Sequence, residues 1–245
     1  MGDVIQGLWI GESLSTMEQL SIKSYITHGH EYHLYVYGDV ANAPAEAVLK
    51  DGNEILPSSW IFQYREYKSY AGFANYFRYK LLLEKGGWWS DLDVICVKPL
   101  TFDAEYVFSS EENERGIEVV TSGIIKAPKG AKILSDAFEI CCSKDTQQLK
   151  WGETGPLLMQ GLVRRLSLNK YVKSAITFCP IPPHRFYESI LPGRWMELSE
   201  QTYTVHLWNE GWRRFGIDKD EEYAPRSLYE RLRRTYLKLG HDCKA

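Results

Sequence analysis

The sequence predicts an α/β fold in which helices cover a mostly parallel sheet. Residues 4–10 and 32–37 are rich in β-branched and aromatic residues and predict two strands, and Ser13 offers an N-cap for a helix between them. Such an opening normally forms parallel strands with the helix packed on one face of the sheet. The length of 245 residues fits one main domain, which we expect over residues 1–215, with a helical extension over 216–245.

A second helix and strand follow in the middle of the chain. Three consecutive leucines, with Phe77 one turn earlier, predict a helix with a broad apolar face. Gly86-Gly87 is a natural stop for this helix, because glycine adopts positive φ without steric cost. Residues 88–97 are aromatic and β-branched, and they predict one buried strand.

Two aspartates interrupt this apolar run and predict a cation site. In an extended strand Asp91 and Asp93 project to the same face while Leu92 faces the core. Two convergent carboxylates bind a hard divalent cation such as Mn²⁺ or Mg²⁺, which shares its other positions with water and substrate phosphates. Asp218 and Asp220 repeat the spacing in a polar stretch with no strand around it, and they favour a solvated turn.

Composition and charge exclude several classes of protein. A formal net charge of −3 argues against a general nucleic-acid binder. Eight Trp and 16 Tyr provide faces for stacking sugars or bases, although core packing also explains them. Five cysteines without a C-x-x-C pair indicate reduced thiols and a cytoplasmic location. The N-terminus lacks a signal-peptide pattern, and no apolar run reaches the roughly 18 residues of a membrane span.

Three further patterns leave alternatives open. His28, His30 and His33 resemble a zinc site only loosely, and we expect structural roles for them. Tyr67, Tyr70 and Phe73 either line a pocket or pack the entrance of the central helix. The tail carries a basic helix with an apolar stripe that either packs on the domain or rests on an anionic membrane; the stripe consists of Leu228, Leu232, Tyr236 and Leu239.

The central stretch resembles the DXD-containing sugar-transferase family (glycosyltransferase family 32), whose relatives include capsular and lipopolysaccharide glycosyltransferases. The matching residues are the helix pair Asn75 and Arg78, then Gly86-Gly87, Trp89, Asp91 and Asp93. The chain departs from the family at Asn75, where an aspartate is usual.

Three other segments are similar to the same family. Leu8-Trp9-Ile10-Gly11 resembles its first-strand motif, and Thr154-Gly155-Pro156 resembles a triplet near its substrate pocket. Residues 206–212 resemble its closing H-x-W-x-x-S-W motif, with Gly211 in place of serine. The resemblance implies a GT-A fold, which is Rossmann-like, with a catalytic domain over residues 1–215.

The resemblance also implies roles for individual residues. The metal ligands it implies are Asp93, His206 and Asp91. Donor-sugar or catalytic contacts are implied for Asn75, Arg78 and Asp91. Nucleotide contacts are implied for Leu8, Trp9, Ile10, Tyr70, Trp212 and Arg213. A sugar or acceptor pocket is implied for Thr154, Gly155 and Trp208.

The implied activity is retaining, metal-dependent transfer of a hexose-type sugar in polysaccharide biosynthesis. The donor is a nucleotide sugar, with UDP favoured over GDP, and the acceptor is a glycan or a lipid-linked glycan. A peripheral membrane contact through the C-terminal helix is part of this expectation. The alternatives are a non-catalytic carbohydrate-binding module with a structural cation and a nucleotidyltransferase, which also uses paired aspartates.

Overall fold

The computed structural model describes residues 2–194 and 197–237. Its β-structure comprises a six-stranded sheet and a separate two-stranded sheet. The strands in chain order are β1 (Ile5–Leu8), β2 (Tyr32–Val36), β3 (Val48–Asp51), β4 (Gly87–Ser90), β5 (Val94–Cys96), β6 (Val107–Glu112), β7 (Glu118–Ala127) and β8 (Thr204–His206).

Helices connect the strands and cover the sheet. The α-helices are α1 (Thr16–Thr27), α2 (Ala71–Lys85), α3 (Lys132–Cys142), α4 (Pro156–Arg165), α5 (Ala175–Phe178), α6 (Asn209–Phe215) and α7 (Leu228–Tyr236). Short 3₁₀ helices lie at Gly52–Glu54, Ser58–Trp60, Asn169–Tyr171 and Pro183–Ile190.

The large sheet has the strand order β3-β2-β1-β4-β7-β6. Strands β3, β2, β1 and β4 are parallel, whereas β7 pairs antiparallel with β4 and β6 pairs antiparallel with β7. The predicted mostly parallel sheet flanked by helices is therefore confirmed. Because β1 and β4 are parallel neighbours, their carboxyl ends open at the same edge, where α/β proteins bind ligands.

Alternating side chains of the sheet fill two cores on its opposite faces. Trp89 and Ile125 pack with α2, α3 and α4 on one face. Trp88 and Ile124 pack with α1 on the other face. Adjacent residues of a strand point to opposite faces, so the consecutive tryptophans of β4 serve both cores.

A third core joins the C-terminal helix to the rest of the chain. Leu228, Leu232 and Tyr236 of α7 are buried in it together with Met17 of α1. The described part of the apolar stripe thus packs on the domain, whereas its last member, Leu239, lies outside the described residues. No helix in the two described ranges is long and apolar enough to cross a membrane.

Several predicted elements differ from the structure. The single strand predicted over residues 88–97 is two strands, β4 and β5, separated by a turn that contains both aspartates. Residues 176–178 have the β-branched and aromatic composition of a strand but lie in α5. Strand β3 was not predicted, since its sequence VLKD ends in two polar residues and has little β signal. Helix α1 begins later than predicted, with Ser15 rather than Ser13 as its N-cap.

The histidines and the second aspartate pair have structural contacts. Each histidine has a separate partner: His28 contacts the hydroxyl of Tyr236, His30 accepts from the backbone of Leu100, and His33 pairs with Glu31. Asp218 accepts from the backbone N–H of Asp220, as expected for a turn. Asp220 in turn accepts from the backbone N–H of Thr16 at 2.7 Å, so this turn docks on the start of α1.

A substitution at Gly86 tests how tightly the turn before β4 is fixed. Its backbone has φ +68° and ψ −167°, a region that is essentially restricted to glycine, and an added Cβ would lie 2.5 Å from the backbone nitrogen of Lys129. We expect Gly86→Ala to lower the free energy of unfolding by at least about 3 kcal/mol. Gly130 is the matched control, because it has φ +76° with no atom near its Cβ position.

Gly130→Ala should cost only about 1 kcal/mol, since it carries the backbone strain without the steric clash. Urea denaturation of both variants measures the difference. Equal losses of stability would show that the close approach at Gly86 is relieved by a small backbone shift.

Candidate active site

An open cleft of about 1810 Å³ lies at the edge where β1 and β4 end. Its walls come from segments that are distant in sequence. Leu8, Trp9 and Ile10 follow β1, Asp91 and Asp93 follow β4, and other lining residues lie in β7, α2 and α6. The cleft therefore contains most of the residues that the sequence singled out.

Asp91 is fixed by three contacts immediately after β4. Its backbone N–H donates to the carbonyl of Gly123 at 2.9 Å. Its Oδ1 accepts from Arg78 Nη2 at 2.9 Å and from Trp89 Nε1 at 2.8 Å. Burial raises the pKa of Asp91 and the nearby Asp93 raises it further, whereas the Arg78 guanidinium opposes the rise.

Arg78 positions Asp91 from helix α2. The side chain is only 4% exposed, and all three guanidinium nitrogens have protein acceptors. Besides the pair with Asp91, Nη1 donates to the carbonyl of Ser122 and Nε donates to the carbonyl of Ala74. Arg78 thus links the central helix to β7 and to the aspartate turn.

Asp93 and His206 form the second half of the site. Asp93 Oδ1 lies 3.2 Å from His206 Nε2, and its Oδ2 accepts from the backbone N–H of Asn209 at 2.7 Å. Burial works against a charged pair, but the mutual attraction outweighs it. The pKa of Asp93 is therefore lowered, and the pKa of His206 is raised well above its usual value.

The imidazole of His206 is held in a defined orientation. It stacks on the ring of Trp208, with the centroids 3.6 Å apart. Trp208 has a left-handed backbone at φ +61°, and its indole N–H donates to the carbonyl of Ile181 at 2.7 Å. On the opposite edge, His206 Nδ1 lies 3.8 Å from Cys179 Sγ. Nε2 is therefore the nitrogen that faces the carboxylates.

The donor atoms of the site fit a divalent cation. One ligand atom each from Asp91, Asp93 and His206 lie within 4.8 Å of one another, and the described residues contain no second such group of histidine, cysteine or acidic side chains. Carboxylate oxygens with one imidazole nitrogen suit Mn²⁺ and Mg²⁺. The aspartates meet in a turn and not along one strand, so the extended geometry predicted for them is wrong even though they converge.

Asn75 lies in the cleft beside the second predicted motif. Its Nδ2 donates to Thr154 Oγ1 at 3.3 Å, and both residues are buried. An added Cβ on Gly155 would approach Asn75 Nδ2 to 3.1 Å, so glycine keeps this contact open. Among the described residues nothing donates to Asn75 Oδ1, which leaves an acceptor at the cleft wall.

The residues expected at a nucleotide do not all reach the cleft. Leu8, Trp9, Ile10, Tyr70 and Arg213 line it. Trp212 does not, which corrects the expectation that it contacts a diphosphate. The Trp212 ring is fully buried in the third core, and its indole N–H donates to the carbonyl of Leu207.

The loop before α2 divides between the cleft and the core. Of Tyr67, Tyr70 and Phe73, which were considered for the cleft wall, Phe73 is fully buried and belongs to the core. Tyr67 lies under Arg214, whose guanidinium carbon is 3.8 Å from the ring centroid. Tyr67 also accepts at its carbonyl from Arg213 Nη2 at 2.6 Å. These contacts join α6 to the loop across the cleft.

Sequence reasoning missed two residues of the site. One is Gly123, where an added Cβ would lie 3.1 Å from His206 Cε1 and 3.5 Å from Asp91 Oδ2. The other is Glu111, which belongs to β6, lines the cleft, and has a pKa raised by burial. For Gly123 the glycine itself was the signal in the sequence that could have indicated a close approach. For Glu111 the sequence contains no such signal.

Comparison with known proteins identifies a sugar-transferase region. Residues 15–113 match the model of the family described as glycosyltransferase sugar-binding region containing DXD motif. This range includes Asn75, Arg78 and both aspartates, so the resemblance to DXD-containing sugar transferases is confirmed. The narrower assignment to family 32 stays a prediction. No curated protein matches the chain.

Solved structures of glycosyltransferases are similar over most of the chain. The ligand-free glycosyltransferase domain of the YGT toxin has a TM-score of 0.52 at 8% identity, covering 78% of this chain and 83% of that one. The PaToxG glycosyltransferase has a TM-score of 0.49 at 13% identity, with 97% and 87% covered. The galactosyltransferase LgtC in complex with donor and acceptor sugar analogs has a TM-score of 0.47 at 12% identity, covering 83% of this chain and 86% of that one.

At these identities the likeness concerns the fold alone. The likeness to the YGT toxin domain, whose TM-score is above 0.5, shows the fold of a glycosyltransferase domain, in agreement with the expected GT-A type. The DXD aspartates of the matched region form, together with His206, a group of side chains able to bind a metal.

The raised pKa of His206 predicts that the affinity for a metal ion depends on pH. A cation can bind at Nε2 only after the imidazole loses its proton, and the pair with Asp93 raises the pKa at which this occurs. We expect the affinity for Mn²⁺ to rise as the pH increases from about 6 to about 8, with release of about one proton per ion. Calorimetry in two buffers of different ionisation enthalpy measures both quantities.

His206→Asn is the control variant, because it removes the titrating ring. Its weaker Mn²⁺ binding should change little over the same pH range. An affinity of the unmodified protein that does not vary with pH would exclude His206 as a ligand that must first be deprotonated.

Proposed function

We propose that the protein is a metal-dependent, retaining glycosyltransferase that moves a hexose-type sugar from a nucleotide sugar to a glycan or lipid-linked glycan. The grouping of Asp91, Asp93 and His206 at the cleft, within a region that matches DXD sugar transferases, carries this proposal. UDP-sugars are the favoured donors and GDP-sugars the second choice.

The chain would bind a divalent cation, Mn²⁺ or Mg²⁺, through Asp93, His206 and Asp91. When bound, such a cation stabilises the negative charge of a departing diphosphate. Arg78 holds the Asp91 carboxylate toward the site, and the Asn209 backbone holds that of Asp93. These positioning contacts exist before substrate binds, so the site needs little reorganisation during transfer.

Asn75 on α2 would orient the donor sugar. Asn75 lies beside Thr154 and Gly155. In our proposal its Oδ1 accepts a hydrogen bond from a hydroxyl of the donor sugar. Leu8, Trp9 and Ile10 at the end of β1 would contact the nucleotide, together with Tyr70 and Arg213. Trp208 would act chiefly by holding His206, since its ring stacks on the imidazole.

The setting of the reaction follows from the same proposal. We place the reaction in the cytoplasm, because four described cysteines are free thiols. Polysaccharide biosynthesis is the process in which we propose that it takes part. A peripheral membrane contact at the C-terminus would have to use residues other than Leu228, Leu232 and Tyr236, because these three are buried.

Asp93→Ala tests the metal-dependent activity. We expect the unmodified protein with Mn²⁺ to release UDP or GDP from at least one nucleotide sugar in a screening panel. Asp93→Ala should reduce turnover by about 10³-fold or more, because it removes one of the three ligands of the proposed metal site. Asp103→Ala is the control, since Asp103 is an exposed carboxylate outside the cleft.

Other outcomes would point to the alternatives. Full turnover in excess chelator would contradict a metal-dependent reaction. Sugar binding without release of a nucleoside diphosphate from any donor would favour a carbohydrate-binding module. Transfer of a nucleotidyl group, with the sugar phosphate as the second product, would indicate a nucleotidyltransferase.

Asn75→Asp tests which donor sugars are accepted. The amide offers a donor and an acceptor, whereas an aspartate offers only acceptors and adds a charge one turn from Arg78. We expect Asn75→Asp to change the relative kcat/KM among donor sugars by about three- to tenfold while the affinity for the nucleoside diphosphate changes little. Asn169→Asp introduces the same change outside the cleft and should leave the donor ranking unaltered.

A donor panel assayed with both variants and the unmodified protein measures this ranking. Identical rankings for all three would show that Asn75 contacts Thr154 without selecting the donor.

A further inference from the structure

The turn around the second aspartate pair places a lysine in the cleft. Lys219 lies between Asp218 and Asp220, which the sequence assigned to a solvated turn, yet its side chain lines the cleft and is only 21% exposed. Its ammonium lies 5.6 Å from the ring centroid of Trp9, the residue that follows β1. The lysine is thus at the end of the cleft where we place the nucleotide.

The backbone around Lys219 is fixed by hydrogen bonds. The Lys219 carbonyl accepts from the hydroxyl of Tyr229 at 2.6 Å, and Asp220 Oδ1 accepts from the Thr16 N–H at 2.7 Å. Asp218 Oδ1 accepts from the Asp220 N–H at 2.8 Å. Both aspartates therefore hold the turn, which explains the D-x-D spacing there without a cation.

A buried carboxylate fixes the side chain as well. Lys219 Nζ lies 2.5 Å from Glu18 Oε1, and Glu18 is only 1% exposed. The other carboxylate oxygen of Glu18 accepts from the backbone and hydroxyl of Ser15, as in a capping box. Glu18 thus serves both the start of α1 and the position of the ammonium.

The ammonium retains capacity for a ligand. Lysine has three N–H donors, and Glu18 is the acceptor that the described residues provide. Of the other cations that line the cleft, Arg213 and Arg214 both pair with Glu210, and Arg78 pairs with Asp91. Lys68 and Arg115 line it too, but Lys219 is the cation whose ammonium lies beside Trp9. Lys219 therefore offers positive donors at this end of the cleft, and a nucleoside diphosphate is an anion that binds such donors.

We propose that Lys219 is a nucleotide-binding residue whose ammonium donates to the diphosphate of the sugar donor. This inference rests on the proposed function. It assigns to Lys219 the diphosphate contact that the buried Trp212 does not make.

Nucleotide affinities of Lys219 variants test the proposal. Calorimetry with Mn²⁺ would use UDP or GDP, whichever binds the unmodified protein more tightly, and the corresponding nucleoside. Lys219→Met should weaken binding of the diphosphate by about tenfold or more, since it removes a charge-assisted hydrogen bond. Lys219→Arg should retain most of the affinity, and Lys129→Met, an exposed lysine outside the cleft, should have no effect.

A second variant separates loss of the diphosphate contact from loss of stability. Lys219→Met leaves the buried Glu18 carboxylate unpaired, so it is compared with the double variant Glu18→Gln/Lys219→Met, which keeps an acceptor for Ser15 and removes both charges. The double variant should show the same loss of diphosphate affinity at near-normal thermal stability. Nucleoside affinity should be unchanged in each variant.

The outcomes separate this inference from the proposed function. Unchanged diphosphate affinity in the double variant would overturn the role of Lys219 alone. Equal losses for diphosphate and nucleoside would also overturn it, because the contact would then be to base or ribose. No binding of either diphosphate by the unmodified protein would overturn the proposed function together with this inference.

Discussion

The charge of two neighbouring, partly buried aspartates, Asp91 and Asp93, is the constraint on which this structure depends. Removing a carboxylate from water is costly unless a cation or hydrogen-bond donors compensate it. Arg78 from α2 and Trp89 compensate Asp91, whereas His206 from β8 and the Asn209 backbone compensate Asp93. The compensating groups come from α2, from β4 and from residues 206–209, so the same contacts that make the site also hold these segments together.

Sheet pairing then sets the relation between the candidate cation site and the proposed nucleotide site. Strands β1 and β4 are parallel neighbours, with Gln6 opposite Trp89. The residues after β1 and the turn after β4 must therefore emerge side by side at one edge. In our proposal, a ligand with a base, a diphosphate and a sugar in a row lies along this edge, with its base at the end of β1 and its diphosphate between Lys219 and the aspartates.

The sequence was sufficient for elements whose signals are local. Helix α2, its glycine stop and the mostly parallel sheet all have such signals. The break at Asp91 has no local signal, because its aromatic and β-branched neighbours favour a continuous strand, whereas the turn is held by tertiary contacts to Arg78 and Gly123. Glu111 and the buried Trp212 were equally out of reach, since their environments depend on which elements pack together.

The C-terminal segment is part of the cleft and not merely attached to it. His206 precedes α6, Arg213 lies within it, and Lys219 follows it, so one continuous stretch supplies the wall that faces Trp9 and the aspartates. This wall has a fixed position because Trp212 is buried against Tyr229 of α7, and α7 packs on Met17 of α1. The tryptophan of the closing motif therefore serves the site through packing: it holds the polar residues on either side of it at the cleft without contacting a ligand.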